Sequence, residues 1–337
     1  TFTLYKSHLD ASKGGRLSAT LDMQTRDTLI SKPTVSGNIG IIASQATVAL
    51  PLGKKVSVYL SGRKTYLGLL VKPLTTKMTD YDFEDYNATF VFQPSEKDKV
   101  TANFYYGSDY LDIETGIYQT EGRIKWSNIA ASILWNRPLG RIGEMTHTFY
   151  ITRYKNRLSI SQNQFTAWLP SENIFSFREE KFLGTYGLEY VYHHMYPQIV
   201  ETQGAYTIHT DPDSRLYRIH EGALFINGKY FFSPRLSAEA GLRYSGTAQF
   251  GKFNYHTYRQ GEIIDTQTYG KGELIKFYGG FEPRIALYFL PGSNQRISLS
   301  YNLTRQYIGQ VSSSSIGFPT DFWMPASRNI PPQRAHS

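Results

Sequence analysis

The sequence predicts an all-β fold, a transmembrane antiparallel β-barrel, from the length and the alternation of its extended segments. Two such segments lie within residues 276–310 and are joined by a turn at residues 291–294. Successive side chains of a strand leave opposite faces, so the second segment has an apolar face made of Ile297, Leu299, Tyr301 and Leu303. Strands of soluble sheets usually have about 5 or 6 residues, whereas a tilted strand that crosses a bilayer needs about 9 to 11. Both arms of this hairpin are long enough to cross.

The composition agrees with this fold class. The chain has 337 residues and 40% hydrophobic content, and none of its apolar runs approaches the roughly 18 residues that a spanning helix requires. Tyrosine, phenylalanine and tryptophan make up 15% of the chain, which suits rings placed at the two membrane interfaces. The absence of cysteine excludes disulfides and thiol chemistry. The net charge of +8 is spread along the chain and interleaved with acidic residues, so no nucleic-acid partner is expected.

A two-glycine turn precedes an alternating strand near the N-terminus. This run at residues 14–26, Gly-Gly-Arg-Leu-Ser-Ala-Thr-Leu-Asp-Met-Gln-Thr-Arg, resembles the end of the plug domain of TonB-dependent outer-membrane receptors, in the branch common among Bacteroidetes. Residues 61–67 resemble an early barrel strand of the same receptors, and residues 321–337 resemble one of their loops with the start of a strand. The resemblance implies a plug end at residues 1–34 and the N-terminal part of a family barrel of about 22 strands at residues 35–337.

The links between the predicted strands alternate in length. Short links are predicted at residues 94–99, 137–142, 194–198, 233–234 and 291–294. Longer links are predicted at residues 67–82, 108–120, 159–176, 251–274 and 312–332. In an antiparallel meander every second connection lies at the same edge, so one rim has tight turns and the other has long loops, as in outer-membrane barrels. The count is about thirteen strands, with the register open at residues 198–213.

The polar face of the predicted strands carries charge. Along residues 236–244 the apolar side chains take one face, and Ser237, Glu239 and Arg243 take the other. Unpaired charges of this kind are costly to bury in a soluble core. The pattern therefore predicts a water-filled lumen on that side of the sheet.

Aromatic side chains crowd the predicted long links, on the side of the sheet that would face outside. Rings of this kind stack on sugars, haems, corrinoids or peptides, although they also pack loops together or form the interfacial belt. The candidate ligand-binding residues are Trp168, Phe175, Tyr255, Tyr258, Phe322 and Trp323.

The sequence offers little for covalent or metal chemistry, and no enzyme activity and no cofactor are expected. The histidines lack helical metal-ligand spacing, and the adjacent pair His193 and His194 would point to opposite faces of a strand. The serine run at residues 312–315 lies in no nucleophile elbow, and the chain has no glycine-rich phosphate loop. One carboxylate cluster is a weak candidate for calcium, but a solvated rim is the favoured interpretation; it comprises Asp80, Asp82, Glu84 and Asp85.

By resemblance, the chain is expected to be part of a TonB-dependent receptor in the bacterial outer membrane. Such a receptor actively imports a nutrient too large for porins, of the siderophore, corrinoid, haem, glycan or peptide class. The implied partners are outer-membrane lipid, the imported ligand, TonB through a region that the chain lacks, and a surface lipoprotein. The energy-coupling box, most of the plug and the terminal strands are missing, so we expect a fragment. Two alternatives are a passive porin or fatty-acid-type channel of about fourteen strands and a soluble β-rich surface-binding module.

Overall fold

The structure is a computed structural model. It describes residues 2–5, 10–17, 19–71, 80–115, 120–140, 143–158, 161–178, 182–200, 216–260, 262–292, 294–311 and 321–337. For residues 69, 71, 80, 112–115, 120–123, 157–158, 161–178, 197–200, 258 and 322 the backbone alone is described.

The described residues form β-strands almost throughout, with one short helix. The bounds are β1 Phe2–Tyr5, β2 Thr20–Met23, β3 Thr34–Ile39, β4 Ala43–Pro51, β5 Val56–Thr65, α1 Leu67–Val71, β6 Asp80–Phe92, β7 Lys99–Thr115, β8 Thr120–Pro138, β9 Glu144–Leu158, β10 Ser161–Arg178, β11 Phe182–Val200, β12 Tyr217–Ser233, β13 Leu236–Phe250, β14 Phe253–Arg259, β15 Glu262–Tyr269, β16 Leu274–Gly292, β17 Gln295–Gln306, β18 Ile308–Val311, β19 Phe322–Pro325 and β20 Gln333–His336. Over these ranges, no helix combines the length and the apolarity needed to span a bilayer.

The main sheet has fourteen antiparallel strands that follow chain order from β3 to β13 and then continue through β16, β17 and β20. The hairpins β14/β15 and β18/β19 are inserted between neighbouring strands of this sheet, and β1 pairs with β2 separately. The predicted all-β antiparallel fold is therefore confirmed. The strand count exceeds the expected thirteen by one.

The sheet is apolar on its exposed face and polar on its buried face. Leu299 is 73% exposed and Ile285 is 53% exposed, whereas Glu282 and Arg284 are fully buried. These residues alternate along β16 and β17, so the pleat alone sends them to opposite faces. A soluble sheet does the reverse, with its apolar face inside. The arrangement is that of a sheet whose outer surface meets lipid.

The links confirm the alternation of rims, with three corrections in the middle of the chain. The links at residues 93–98, 139–143, 234–235 and 293–294 are short, as the sequence predicted, and we call their edge the short-link rim. The strands that meet at the other edge, which we call the long-link rim, are separated along the sequence by residues 66–79, 201–216, 251–273 and 307–332. Its links include α1 and the two inserted hairpins, so they are longer but not wholly irregular.

The predicted long link at residues 159–176 is wrong. This stretch is strand β10, which pairs with β9 on one side and with β11 on the other. Its register shifts between Trp168 and Ser171, around Pro170, where a bulge accommodates a residue without a backbone N–H. The sequence did not predict this strand, because it contains a proline and lacks regular alternation. Pairing with a neighbouring strand on each side stabilises it.

The predicted short link at residues 194–198 is also wrong, because it lies inside β11. Along the sequence, β10 and β11 are instead separated by residues 179–181. The predicted loop at residues 108–120 is mostly strand as well, since β7 runs to Thr115 and β8 begins at Thr120. The polar composition of these segments does not prevent strand formation, because the ladder hydrogen bonds do not depend on side-chain polarity.

At the short-link rim, the carboxylate of Asp98 organises the turn between β6 and β7. Ser95 Oγ donates to Asp98 Oδ2 at 2.9 Å, and Trp135 Nε1 donates to Asp98 Oδ1 at 3.1 Å. These two hydrogen bonds, first that of Ser95 and then that of Trp135, lower the pKa of the Asp98 carboxyl, and nearby Arg137 and Lys97 act in the same direction. The turn thereby ties the link between β6 and β7 to the end of β8.

Candidate functional site

The buried face of β11, β12, β13 and β16 carries six charged residues, which we call the interior charge cluster: Glu189, Glu221, Glu239, Arg243, Glu282 and Arg284. Arg284 Nη2 donates to Glu282 Oε2 at 3.2 Å, and Arg243 forms an ion pair with Glu189. Of the remaining carboxylates, Glu239 accepts a hydrogen bond from Asn227 Nδ2 at 2.9 Å, and Glu221 Oε2 lies 3.1 Å from His193 Nε2. Buried charges persist only with such partners.

The interior charge cluster binds the start of the N-terminal segment, by which we mean residues 10–31. Arg284 Nη1 donates to the backbone oxygen of Asp10, and Arg243 Nη1 donates to that of Ser12 at 3.2 Å. Ala11 N donates to Asn227 Oδ1 at 3.4 Å, and Ala11 is fully buried. The expected water-filled lumen at Arg243 is therefore occupied by chain, which explains how the arginine is buried.

Gly14 fits this contact for a steric reason. A Cβ atom on Gly14 would meet the guanidinium of Arg243. Glycine at this position lets the backbone approach the arginine, so the two-glycine turn has a packing role here.

The second half of the N-terminal segment binds the opposite part of the wall. Thr25 Oγ1 donates to Asn103 Oδ1 at 3.0 Å, and Tyr59 OH donates to the backbone oxygen of Thr28 at 2.8 Å. Lys99 forms an ion pair with Asp27. These partners belong to β5 and β7, whereas Arg243 and Arg284 belong to β13 and β16. The sheet therefore curves around the N-terminal segment.

Hydrogen bonds join the elements of the long-link rim to one another. Arg328 N donates to Tyr255 OH at 3.1 Å, and Arg328 Nη1 donates to Tyr269 OH at 3.3 Å and to Gln267. Tyr278 OH donates to the backbone oxygen of Ser327 at 3.0 Å. These contacts seat residues 321–330 on the hairpin β14/β15.

A cavity of about 400 Å³ lies where the N-terminal segment meets the hairpin β18/β19. The guanidinium carbon of Arg16 is 5.5 Å from the centroid of the Trp323 ring, in cation–π geometry. Other groups on the lining include Asn128, Thr152, Tyr154 and Gln310. An aromatic plane, a cation and several hydrogen-bonding groups suit a ligand that has an apolar or planar part and an anionic group.

Two of the predicted site residues have described side chains. Trp323 lines the cavity and packs against the buried cluster of Met195, Ile219 and Ile308. Tyr255 instead holds Arg328 and packs edge-on against Tyr269, with 6.3 Å between ring centroids. The structure therefore gives Tyr255 a role in joining two rim elements.

The other four predicted site residues are Trp168, Phe175, Tyr258 and Phe322, whose side chains lie outside the described part of the structure. Their backbones are described, and all four lie in strands, as do Tyr255 and Trp323. The expectation that these residues sit in irregular loops is wrong. The rim strands extend further than the sequence pattern indicated. Ligand binding by these residues stays a prediction.

The carboxylates predicted as a weak calcium candidate divide between the two faces of β6. Asp85 contacts Arg63 at 2.6 Å, while Glu84 and Asp82 lie 3.0 and 3.9 Å from Lys64. The side chain of Asp80 is not among those described. Within the described ranges, no group of three His, Asp or Glu side chains is placed to hold a metal ion. The described carboxylates of this group pair with Arg63 and Lys64.

The sequence missed Arg16, Gln310 and Tyr154 at the cavity. Arg16 stands in the glycine turn that carried the family resemblance, but its partner Trp323 follows some three hundred positions later. Arg243 was noticed as a charge on a polar face. Its contact with Ser12 links residues 231 positions apart, and a local pattern carries no signal for that.

The fold is similar to that of several solved transport proteins. The hemophore receptor HasR of Serratia marcescens, in complex with its hemophore HasA and heme, superposes with a TM-score of 0.68 at 14% identity, over 99% of this chain and 55% of HasR. The FrpB iron transporter of Neisseria meningitidis gives 0.65 at 12% identity, over 90% and 53%. The copper transporter OprC gives 0.65 at 11% identity, over 91% and 50%.

No protein-family model matches the chain, and no curated protein sequence matches it. The chain spans about half the length of the three solved structures. At these identities the similarity concerns the fold. The inside-out sheet, the enclosed N-terminal segment and the superpositions together show that this chain has the fold of TonB-dependent outer-membrane receptors.

Proposed function

We propose that the chain is part of a TonB-dependent receptor that actively imports a nutrient across the bacterial outer membrane. The observation that carries the proposal is the N-terminal segment held against the polar face of the sheet by Arg243 and Arg284. A segment bound there closes the interior to passive diffusion. Transport then requires the segment to be displaced, and a receptor driven through TonB supplies that work.

The same contacts support the domain division that we propose. Residues 1–34 form the end of a plug, and residues 35–337 form the N-terminal part of a barrel wall. In support, residues 10–31 contact the inner face of the sheet, while β3, which begins at Thr34, is its first strand. The barrel itself holds a polar interior across lipid and performs no covalent chemistry.

For the ligand we propose an anionic metal chelate of the haem or siderophore class. The cavity at Arg16 and Trp323 supports this choice, because a guanidinium pairs with a carboxylate and an indole stacks on a planar group. The similar structures include a receptor solved with heme and its hemophore and an iron transporter. A neutral glycan or peptide has no anionic group that would pair with the guanidinium of Arg16.

A binding measurement on the purified full-length protein tests the ligand site. Hemin, a ferric catecholate, a ferric hydroxamate and cyanocobalamin are titrated separately while tryptophan fluorescence is followed. We expect hemin or a ferric chelate to bind, and Trp323→Ala and Arg16→Gln each to weaken that binding at least about tenfold, which is the loss of one aromatic or charged contact. The control Arg235→Gln, at an exposed turn of the short-link rim, keeps wild-type affinity. Equal affinity in all four proteins would exclude the cavity as the ligand site.

A passive channel is the second candidate, because fourteen strands is the size expected for that alternative. Planar-bilayer recordings of the full-length protein separate the two functions. A TonB-dependent receptor shows little steady conductance, and it binds the periplasmic domain of TonB in a pull-down assay. A large steady conductance without TonB binding would favour the channel. Solubility of the full-length protein without detergent would favour the third alternative, a soluble surface-binding module.

A further inference from the structure

The exposed face of the sheet has an apolar groove that the transport proposal does not use. The groove crosses β11, β12, β13 and β16 and has a volume of about 400 Å³. Its walls are large apolar side chains on that face: Leu188, Tyr190, Leu224, Tyr244 and Phe277. The groove therefore lies on the surface opposite the N-terminal segment.

A row of glycines opens the groove. The strand register places Gly222 opposite Gly246, and Gly246 opposite Gly279. Phe277 covers part of this row, since a Cβ atom on Gly246 would lie 3.1 Å from its ring. A Cβ atom on Gly222 would meet only the backbone oxygen of Glu189, at 3.6 Å. Gly222 is thus the open part of the floor, and a large side chain there would fill the groove.

The end of the groove nearer the long-link rim is aromatic and basic. His220 lies on the same face, and the Tyr190 OH and His220 Nδ1 atoms are 2.6 Å apart. The Tyr192 and Phe250 rings pack against His220, with centroids at 4.8 and 5.1 Å. Arg218 follows on the same strand face and donates to the backbone oxygen of Lys252 at 3.0 Å. Rings and cations bordering an apolar surface are typical of a membrane interface, where lipid phosphates lie.

We propose that this groove is a specific binding site for a phosphorylated membrane lipid. One acyl chain lies along Gly222 between Leu224 and Tyr190, and the phosphate lies against Arg218 and His220. The apolar walls exclude a polar solute from the groove, and the guanidinium of Arg218 at one end favours an anionic headgroup. The proposal rests on the proposed function only in taking the exposed apolar face as the lipid-facing one.

The position of the groove agrees with this occupant. Between Leu236 at the short-link rim and Ala248 beside His220, β13 has thirteen residues, slightly more than the about 9 to 11 that cross a bilayer. His220 therefore stands at the interface near the long-link rim, while Leu224 and Tyr244 lie deeper. A lipid in that leaflet has its phosphate at the depth of His220 and its acyl chain at the depth of Leu224 and Tyr244.

Lipid titration of the full-length protein in micelles of a maltoside detergent, which carries no phosphate, tests the site. A phosphatidylglycerol with a fluorescent acyl chain is compared with the diacylglycerol that carries the same chain, and energy transfer from protein tryptophan is measured. We expect the phosphorylated lipid to bind at least tenfold more tightly. Millimolar inorganic phosphate should not displace it, because the acyl chain supplies part of the affinity.

Two variants test the two ends of the site separately. Gly222→Phe fills the groove, so it should weaken binding of both lipids at least tenfold. Arg218→Gln leaves the groove open, so it should abolish most of the preference for the phosphorylated lipid and leave diacylglycerol binding unchanged. Leu287→Phe, on the same exposed face of β16 but outside the groove lining, is the matched control and should bind like the wild type.

The proposal is overturned if Gly222→Phe and Leu287→Phe bind both lipids equally, or if the two lipids bind the wild type with the same affinity. Heat-modified electrophoretic mobility confirms that each variant is folded. If the protein inserts into bilayers and shows no steady conductance but does not bind the lipid, the lipid site is contradicted and the transport proposal is not. A protein that remains soluble without detergent contradicts the transport proposal first.

Discussion

Removing the side chain of Arg284 should release the N-terminal segment and destabilise the protein. The guanidinium is fully buried, it donates to Glu282 at 3.2 Å, and it donates to the backbone oxygen of Asp10. Arg284→Ala leaves Glu282 buried with Ser245 as a remaining donor. Breaking a buried ion pair by deleting one partner costs about 3–5 kcal/mol, so we expect the free energy of unfolding to fall by about that amount.

A double variant shows whether the loss of stability in Arg284→Ala comes from the unpaired charge of Glu282 or from the lost side-chain volume. Replacing both members of a buried pair by apolar residues is often neutral, so Arg284→Met with Glu282→Leu should recover most of the loss. Urea unfolding of the full-length protein in lipid vesicles, followed by tryptophan fluorescence, measures both values. Trypsin provides the second readout, because Lys13 and Arg16 become cleavable once the N-terminal segment detaches. The exposed Arg235→Gln is the control.

Two results would refute this reasoning. One is an unfolding free energy of Arg284→Ala within about 0.5 kcal/mol of the Arg235→Gln control, which is the range of ordinary surface substitutions. The other is an unchanged rate of tryptic cleavage at Lys13 and Arg16. Either result would mean that the arginine does not hold the N-terminal segment.

Three further predictions concern the lipid face, the short-link rim and the glycine turn. Leu299→Arg should destabilise the protein by about 2–4 kcal/mol in vesicle unfolding, because Leu299 is exposed near the middle of a spanning strand. The pKa of Asp98 is below its usual value of 3.8, so its contribution to stability is complete above that pH and is lost as the pH falls through the lowered pKa. Trp135 fluorescence should report that acid transition in the wild type and not in Asp98→Asn. Gly14→Leu should displace Arg243 and speed tryptic cleavage at Arg16.

Each of these predictions has a control and a contrary outcome. Ser298→Arg places the same charge on the opposite face and should cost much less than Leu299→Arg; equal costs would contradict a lipid-facing surface. An identical acid transition in Asp98→Asn would show that another group titrates. Gly292→Ala, whose added Cβ has open space, should leave cleavage unchanged. If Gly14→Leu behaves in the same way, the close approach to Arg243 has no role.

The fold class was predictable because the membrane imposes a local pattern. Leu299 and Ser300 differ in polarity because they lie on opposite faces, and this difference is visible in any window of the sequence. The tight turn at residues 234–235 is also visible in the sequence, through Pro234 and through Ser233 directly before it. Strand β10 was missed because its mixed polar pattern includes Pro170, and only pairing with two neighbouring strands keeps it extended.

The candidate site was less predictable, since its contacts join distant positions. Arg284 meets Asp10 across 274 positions, and Arg328 meets Tyr255 across 73. Alternation shows that Arg284 faces inward but says nothing about what it meets there. Tyr255 was therefore predicted to bind ligand from its residue type alone, whereas the structure places it against Arg328. Trp323 was selected by the same criterion and does line the cavity.

The contacts of residues 10–31 with both ends of the wall have a consequence for assembly. Until Asp10 and Ser12 arrive, Arg284 and Arg243 lack acceptors that they have in the finished molecule. Lys99 and Tyr59, which lie much earlier in the chain, bind the same segment. Curvature of strands β12 to β16 is therefore stabilised only when this segment contacts both groups of strands. We therefore expect the sheet to curve during folding together with residues 10–31, and not to form first as an empty shell.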